Sequence, residues 1–428
     1  MVKNKRIALA PGTMLTDDIC IVSLISDAGG SSLVYKAKKK GNNTIIKEFF
    51  PYESNIEIMR DVNGYRLVPG TQSHNEIENY RKQLRTSFEN ELNNAQLANE
   101  IRGNNSIYSF PCSDINGQVQ KNELFRGSLG LYMEIETKSG MTLLDEIDHL
   151  RSINQSHDVD FEQAILLTIK ILNALSSKHS IQHLLHLDLK PDNVYFFDEP
   201  NWKDTICVFL DCGNYQPIGK VTSSFGFSAT RGYAAFEITK ILKYLKMKSD
   251  SPTNNELDSK IEKYTEYIGT QTDTYSVGMM FYQLLMGNDF DLHVFYDINS
   301  TSSQKKLTKL IKESLEKRFR DTLPYVIDKL LGILSKALFI PRNYDDLIEK
   351  RYTSCDAFIK DLNGLLEIYE MRGIHPEIIE ANSRKEFMNI VKLAGISVTP
   401  DQTNEELINN DTLFDSRLFP EAFTVTNN

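Results

Sequence analysis

The sequence predicts an α+β protein, mainly antiparallel β at first with one long helix, and mainly α afterwards. Three observations predict it. Short runs rich in β-branched and aromatic residues, at 19–25, 33–38 and 44–49, are divided by glycine and asparagine, the pattern of strands joined by tight turns. After Gly140 the apolar residues change to steps of three and four, the period of a helix with one buried face. The 428 residues also exceed the roughly 250–300 at which a single core stops growing.

Gly29-Gly30 separates the first two runs and Gly41-Asn42-Asn43 the second and third. A hairpin follows over 55–68, with Asn63-Gly64 at its centre, because this dipeptide adopts the left-handed backbone that two-residue hairpin turns require. The long helix spans about 75–101 and lines up Ile77, Tyr80, Leu84, Phe88, Ala95 and Ala98 on one face. Glu91 falls on that face. A buried carboxylate needs a partner, unless it sits at the stripe's solvated edge.

Residues 103–130 read as loop and hairpin before the apolar run 129–135. Helices are expected at 161–178, 274–286, 323–338 and 355–371, and the polar stretch 250–270 reads as a spacer inserted between helices. From Gly373 the pattern weakens, with a short helix expected at 386–393 and aromatics at 413–423. There is no internal repeat.

With 41% hydrophobic, 25% charged and 10% aromatic residues, the composition is that of an ordinary globular protein. The net charge of −10 argues against nucleic-acid and anionic-membrane partners. The five cysteines are scattered without CxxC spacing and read as reduced thiols of a cytoplasmic protein. The apolar run 7–10 stops at Pro11-Gly12, too short for a signal peptide, and no membrane anchor is expected. Nothing in the sequence fixes an oligomeric state.

The strongest chemical signal is His186-Leu187-Asp188-Leu189-Lys190-Pro191-Asp192-Asn193, a loop ahead of the apolar run 194–197. At this spacing Asp188 can accept a hydroxyl proton while the Asn193 amide oxygen reaches a magnesium ion, and Lys190 faces the same phosphate. The run 205–210 ends in Asp211-Cys212-Gly213, which puts a second carboxylate at a strand end. One Asp and one Asn suit Mg2+, which keeps few protein ligands.

These motifs resemble the eukaryotic-like protein kinase superfamily, specifically the bacterial serine/threonine kinases whose lysine strand continues into Glu-Phe-Phe-Pro. The resemblance covers roughly residues 11–370 and implies a bilobal kinase-like fold. It divides the chain into an N-lobe of 1–138 with a hairpin insertion at about 52–72, a C-lobe of 139–372, and a tail of 373–428. It implies that Asp188 is the catalytic base, assisted by Lys190, and that Asn193 and Asp211 hold magnesium. The stretch from Asp27 to Tyr35 is similar to the glycine-rich loop over ATP, with Gly29, Gly30 and Val34 as nucleotide contacts and with Asp27 and Ser32 where the family has glycine. Lys47, in Thr44-Ile45-Ile46-Lys47-Glu48-Phe49-Phe50-Pro51, is implied to meet the α- and β-phosphates and to pair with Glu91.

Thr230-Arg231-Gly232-Tyr233-Ala234-Ala235-Phe236-Glu237 resembles the segment that closes the activation loop, with phenylalanine for the usual proline. Arg351 resembles the arginine that pairs with that glutamate, and Asp273 the aspartate that supports the catalytic loop. By the same resemblance Met133 is the gatekeeper, and the Glu134 carbonyl and Glu136 amide contact adenine. Leu187 stands where many kinases have arginine, so activity is expected not to require phosphorylation at Thr222, Ser223, Ser224 or Ser228.

Taken singly these residues have ordinary explanations: a strand lysine is usually a solvated side chain. His186, His179, His183 and Cys212 read as structural, since their spacing forms no zinc pattern. The ordered set points to a serine/threonine protein kinase that uses ATP and Mg2+ on protein substrates and also phosphorylates itself. A pseudokinase that binds nucleotide or a partner, and a small-molecule kinase, are the alternatives.

Overall fold

The computed structural model describes residues 6–27, 32–50, 58–60, 67–70, 73, 75–76, 79, 82, 112–114, 131–135, 140–153, 161–197, 205–221, 229–230, 232–250, 253–287, 290, 303–319 and 324–371. They form two units, one of Met1–Gly140 with Tyr195–Tyr215 and one of Met141–Val194 with the chain from Gln216 onward. The first is rich in strands and the second in helices, so the class is α+β, as the sequence predicts.

The first unit is built on a six-stranded antiparallel sheet. Strands β1 (Met14–Thr16), β2 (Ile19–Ser26), β3 (Ser32–Lys39) and β4 (Asn42–Phe49) follow one another as neighbours, and β8 (Leu131–Ile135) then β7 (Cys112–Asp114) complete the order. Alternation puts Ile19 and Ile21 of β2 and Leu33, Tyr35 and Ala37 of β3 inside, the half-buried pattern of a sheet with one apolar face. The turn between β3 and β4 is Lys40-Gly41, both at positive φ (49° and 87°), the backbone of a two-residue hairpin whose twist matches its strands. Asn42 and Asn43, expected in this turn, are instead the first residues of β4.

The predicted hairpin is present as β5 (Ile58–Arg60) paired with β6 (Leu67–Pro69). The pairing of Ile58 with Pro69 and Arg60 with Leu67 centres the connection on Asn63-Gly64, which lies outside the described residues. Arg60 joins this hairpin to the main sheet. Its guanidinium donates to both oxygens of the fully buried Glu48 (2.9 and 2.7 Å) and to the Tyr35 hydroxyl (3.1 Å), while its Nε donates to the Ile7 carbonyl (2.6 Å). The Tyr35 hydroxyl donates to Glu48 (2.7 Å) and accepts from the Leu9 N–H (3.1 Å). Burial, reinforced by the Glu48 charge, holds the Tyr35 phenol well above its usual pKa, so it stays a donor.

Where the long helix is expected, Ser73 donates its N–H and hydroxyl to Glu76 (2.9 and 2.7 Å) and accepts from the Glu76 N–H. This reciprocal pair is a capping box at the predicted start. Most of the helix, Glu91 included, lies outside the described residues. The first unit also holds all but the first residue of β9 (Val194–Phe197), and β10 (Cys207–Phe209), joined by the Phe197 N–H to the Ile206 carbonyl (3.0 Å) around a small core of Phe197 and Val208.

The helices of the second unit are α1 (Leu143–Ile153), α2 (Phe161–Ser180), α3 (Phe236–Asp250), α4 (Asn255–Thr265), α5 (Thr270–Met286), α6 (Gln304–Arg318), α7 (Pro324–Ala337), α8 (Tyr344–Lys350) and α9 (Cys355–Met371). Helix α5 is buried along almost its whole length, and its buried polar residues Thr272, Asp273 and Ser276 are hydrogen-bonded. Gly278 lets it approach α7, since a Cβ there would meet the Ala337 methyl at 2.7 Å. Residues 250–270, expected to be a spacer, hold α4. Asn254 caps it by accepting from the Glu256 N–H, and Leu257 and Ile261, four residues apart, are buried. The polar majority of that stretch is one solvated face of an amphipathic helix, whose narrow apolar stripe is easily read as a linker.

Candidate active site

Each unit carries part of the constellation. In the first, the register sets Lys47 of β4 opposite Val34 of β3 on one side and Met133 of β8 on the other. The Lys47 ammonium is buried and lies 3.2 Å from the Asp211 carboxylate, which is 42% exposed, and 5.6 Å from the centre of the Phe49 ring. At that exposure the Asp211 carboxylate is accessible to a cation from solvent. Asp211 itself sits at φ 58°, a left-handed backbone that costs a non-glycine residue about 1–3 kcal/mol and concentrates at functional sites. Sequence gave no sign of this strain.

Glu134 lies in β8, opposite Ile46 on one flank and Ser113 on the other. Its buried side chain accepts from the Lys39 ammonium (2.6 Å) and the Thr44 hydroxyl (3.1 Å). These contacts hold the side chain within the sheet. Gly29, Gly30, Glu91 and Glu136 lie outside the described residues.

In the second unit, the loop from His186 to Asn193 is held from several directions. Asp273 of α5 accepts from the backbone N–H of both His186 and Leu187 (2.8 Å each) and lies 2.9 Å from Nε2 of His179. Charge-assisted bonds to two successive amides are strong, and they fix Leu187 at φ 64°. Asp273→Asn turns an NH2 group toward donors that need an acceptor, which costs about 1–3 kcal/mol for an orphaned buried amide. The variant is expected to melt at lower temperature in circular dichroism.

Leu187 is buried in an apolar cluster with Leu185, Ala234, Ile238, Ile241, Ile261 and Ile268. The position where the family often has arginine is thus secured by packing. Thr222, Ser223, Ser224 and Ser228, whose phosphorylation activity is expected not to require, lie outside the described residues.

Asp188 is half-buried, and its Oδ1 accepts from both the N–H (3.0 Å) and the hydroxyl (3.1 Å) of Thr230. Sequence reasoning placed Thr230 in the segment that closes the activation loop but missed this pairing, because 42 residues separate the two. A 3-10 turn over Pro191–Asn193 carries Asn193 back, so that its Nδ2 donates to the Asp188 carbonyl (2.8 Å). That bond turns the amide oxygen of the buried Asn193 to the other side, the atom suited to a hard cation. Lys190 precedes the turn in extended backbone.

Glu237 and Arg351 are both fully buried, and Nη1 of Arg351 donates to both carboxylate oxygens (2.9 and 3.1 Å). The Thr272 hydroxyl also donates to Glu237 (2.8 Å), and the arginine donates to the Phe339 carbonyl. Phe236, in place of proline, opens α3 with its ring buried edge-on against Tyr264. His179 and His183, set aside as metal ligands, have structural surroundings: His179 bonds Asp273, and the His183 carbonyl accepts from the Ile218 N–H (2.9 Å).

No protein-family model matches the chain. Among curated proteins it is similar to Myosin light chain kinase 3 of Danio rerio, 27% identical over 162 residues, or 37% of this chain and 19% of that protein. It is also similar to two proteins of Dictyostelium discoideum. These are the probable serine/threonine-protein kinases ifkB, at 26% identity over 36% of this chain and 12% of that protein, and ifkA, at 27% over 36% and 7%. The chain therefore spans less than a fifth of the length of these relatives. Solved structures similar to it include the Mycobacterium tuberculosis PknI kinase domain, C20A mutant, at 15% identity and TM-score 0.45 over 84% of this chain and all of that one. Another is the PpkA-294 apo form, at 18% and 0.47 over 83% and 99%. Over about a third of its length the chain is thus similar in sequence to proteins named as kinases, two of them as probable serine/threonine-protein kinases.

Proposed function

We propose that this chain is a serine/threonine protein kinase that transfers the γ-phosphoryl group of ATP to Ser and Thr hydroxyls of protein substrates and to itself. The observation that carries this is Asp188: a half-buried carboxylate, fixed through Oδ1 by Thr230 and flanked by Asn193, on a loop anchored to α5. In this role Asp188 orients the acceptor hydroxyl and takes its proton, while Lys190 offsets charge on the transferring group. Lys47 meets the nucleotide phosphates and Val34 lines the nucleotide. Asp211 and Asn193 are the residues assigned to Mg2+, which when bound neutralises charge developing on the phosphates.

The resemblance supports a kinase N-lobe of 1–138, a C-lobe of 139–372 and a tail of 373–428. No helix among the described residues is long and apolar enough to cross a membrane, and with reduced cysteines we place the protein in the cytoplasm.

The test is incubation of the purified protein with ATP, Mg2+ and peptides bearing Ser, Thr or Tyr, followed by mass spectrometry. Phosphate is expected on Ser and Thr of the peptides and of the protein. Nucleotide binding without transfer would identify a binding module instead, and transfer confined to small hydroxyl compounds would identify a small-molecule kinase.

A further inference from the structure

The residues flanking the glycine-rich segment converge on one side chain far from them in sequence. Arg6 is half-buried, and its Nη2 donates to the carbonyl of Asp27 (2.5 Å), the last described residue before positions 28–31. Its Nη1 donates to the carbonyl of Ser32 (3.1 Å), the first described residue after them, and to that of Phe50 (2.8 Å), which follows the Lys47 strand. One planar guanidinium therefore ties both stems of the segment to the end of β4. A lysine ammonium cannot reproduce that fork.

Arg6 is itself held in place. The Ile7 carbonyl accepts from Arg60 (2.6 Å) and the Leu9 N–H donates to Tyr35 (3.1 Å), so residues 6–9 are a strap fastened to the sheet at successive positions. Burial lowers the Arg6 pKa, and the Asp27 charge is the foremost influence opposing it, ahead of Tyr35 and Glu48. Asp27 and Ser32, the two residues that stand where the family has glycine, are thus two of the three whose carbonyls Arg6 holds, Phe50 being the third. Asp27 alone would bring an exposed negative charge to a stem of the phosphate-covering segment, where it repels polyphosphate. The Arg6 charge offsets it.

We propose that Arg6 is a positioning residue for nucleotide binding, which spaces the stems Asp27 and Ser32 and offsets the Asp27 carboxylate. This rests on the kinase reading and explains how the chain tolerates an aspartate at that stem. The test is calorimetric titration of the full chain with Mg2+ and the β,γ-imido analogue of ATP, with thermal melting alongside. Arg6→Met is expected to weaken binding about tenfold, equivalent to roughly 1.4 kcal/mol. Asp27→Asn in the Arg6→Met background is expected to recover a substantial part, a non-additivity that a merely structural arginine would not produce. Arg6→Lys, which keeps the charge without the fork, is expected to fall between wild type and Arg6→Met, and it serves as the single variant if Arg6→Met does not fold. Wild-type affinity in both Arg6 variants, or loss that Asp27→Asn does not relieve, overturns the proposal alone. A wild-type chain that binds no nucleotide overturns the kinase reading and this inference with it.

Discussion

Asp188→Asn is expected to lower phosphoryl transfer by about 10²–10⁴-fold, the usual contribution of a positioned general base, while the affinity for ATP changes little. The substitution is a clean one here. The Oδ1 that accepts from the Thr230 N–H and hydroxyl is retained as the amide oxygen, so those bonds to the loop survive. What is lost is the capacity to take a proton. Phosphosite counts by mass spectrometry, beside nucleotide titration, separate the two effects, and undiminished autophosphorylation would remove Asp188 from the role of base.

The largest expected effect on stability belongs to Arg351. Replacing it with methionine preserves length but leaves Glu237, fully buried, with a charge that only the Thr272 hydroxyl still addresses among the bonds described above. An uncompensated buried charge costs about 3–5 kcal/mol, and urea denaturation should register that loss. The pair Arg351→Met with Glu237→Gln is expected to be less destabilised than Arg351→Met alone, because removing both charges removes the penalty as well as the attraction. Equal midpoints for the two variants would show that packing, and not charge, dominates at this position.

The parts of this molecule that sequence revealed share a physical character. Strands β2 to β4, helices α2, α5, α7 and α9, and the loop from His186 to Asn193 are local patterns, in which neighbours in the chain set the period or the motif. The Asp273 support and the Glu237 to Arg351 pairing were accessible because each partner sits in a recognisable motif of its own. What escaped notice depends on contacts between distant residues. Arg60 with Glu48, Thr230 with Asp188, and Arg6 with Asp27 and Ser32 are pairings that no local pattern announces. Helix α4 escaped for a different reason: its two buried apolar positions, Leu257 and Ile261, are too few to outweigh a polar composition.

The burial of Leu187 among isoleucines also determines which surroundings the loop responds to. An arginine in its place would depend on counter-charges, and salt would weaken its hold within a Debye length of about 8–10 Å. Apolar contact is indifferent to ionic strength, yet it weakens on cooling and in the presence of urea. This loop is therefore tuned to temperature and solvent quality rather than to the ionic composition around it.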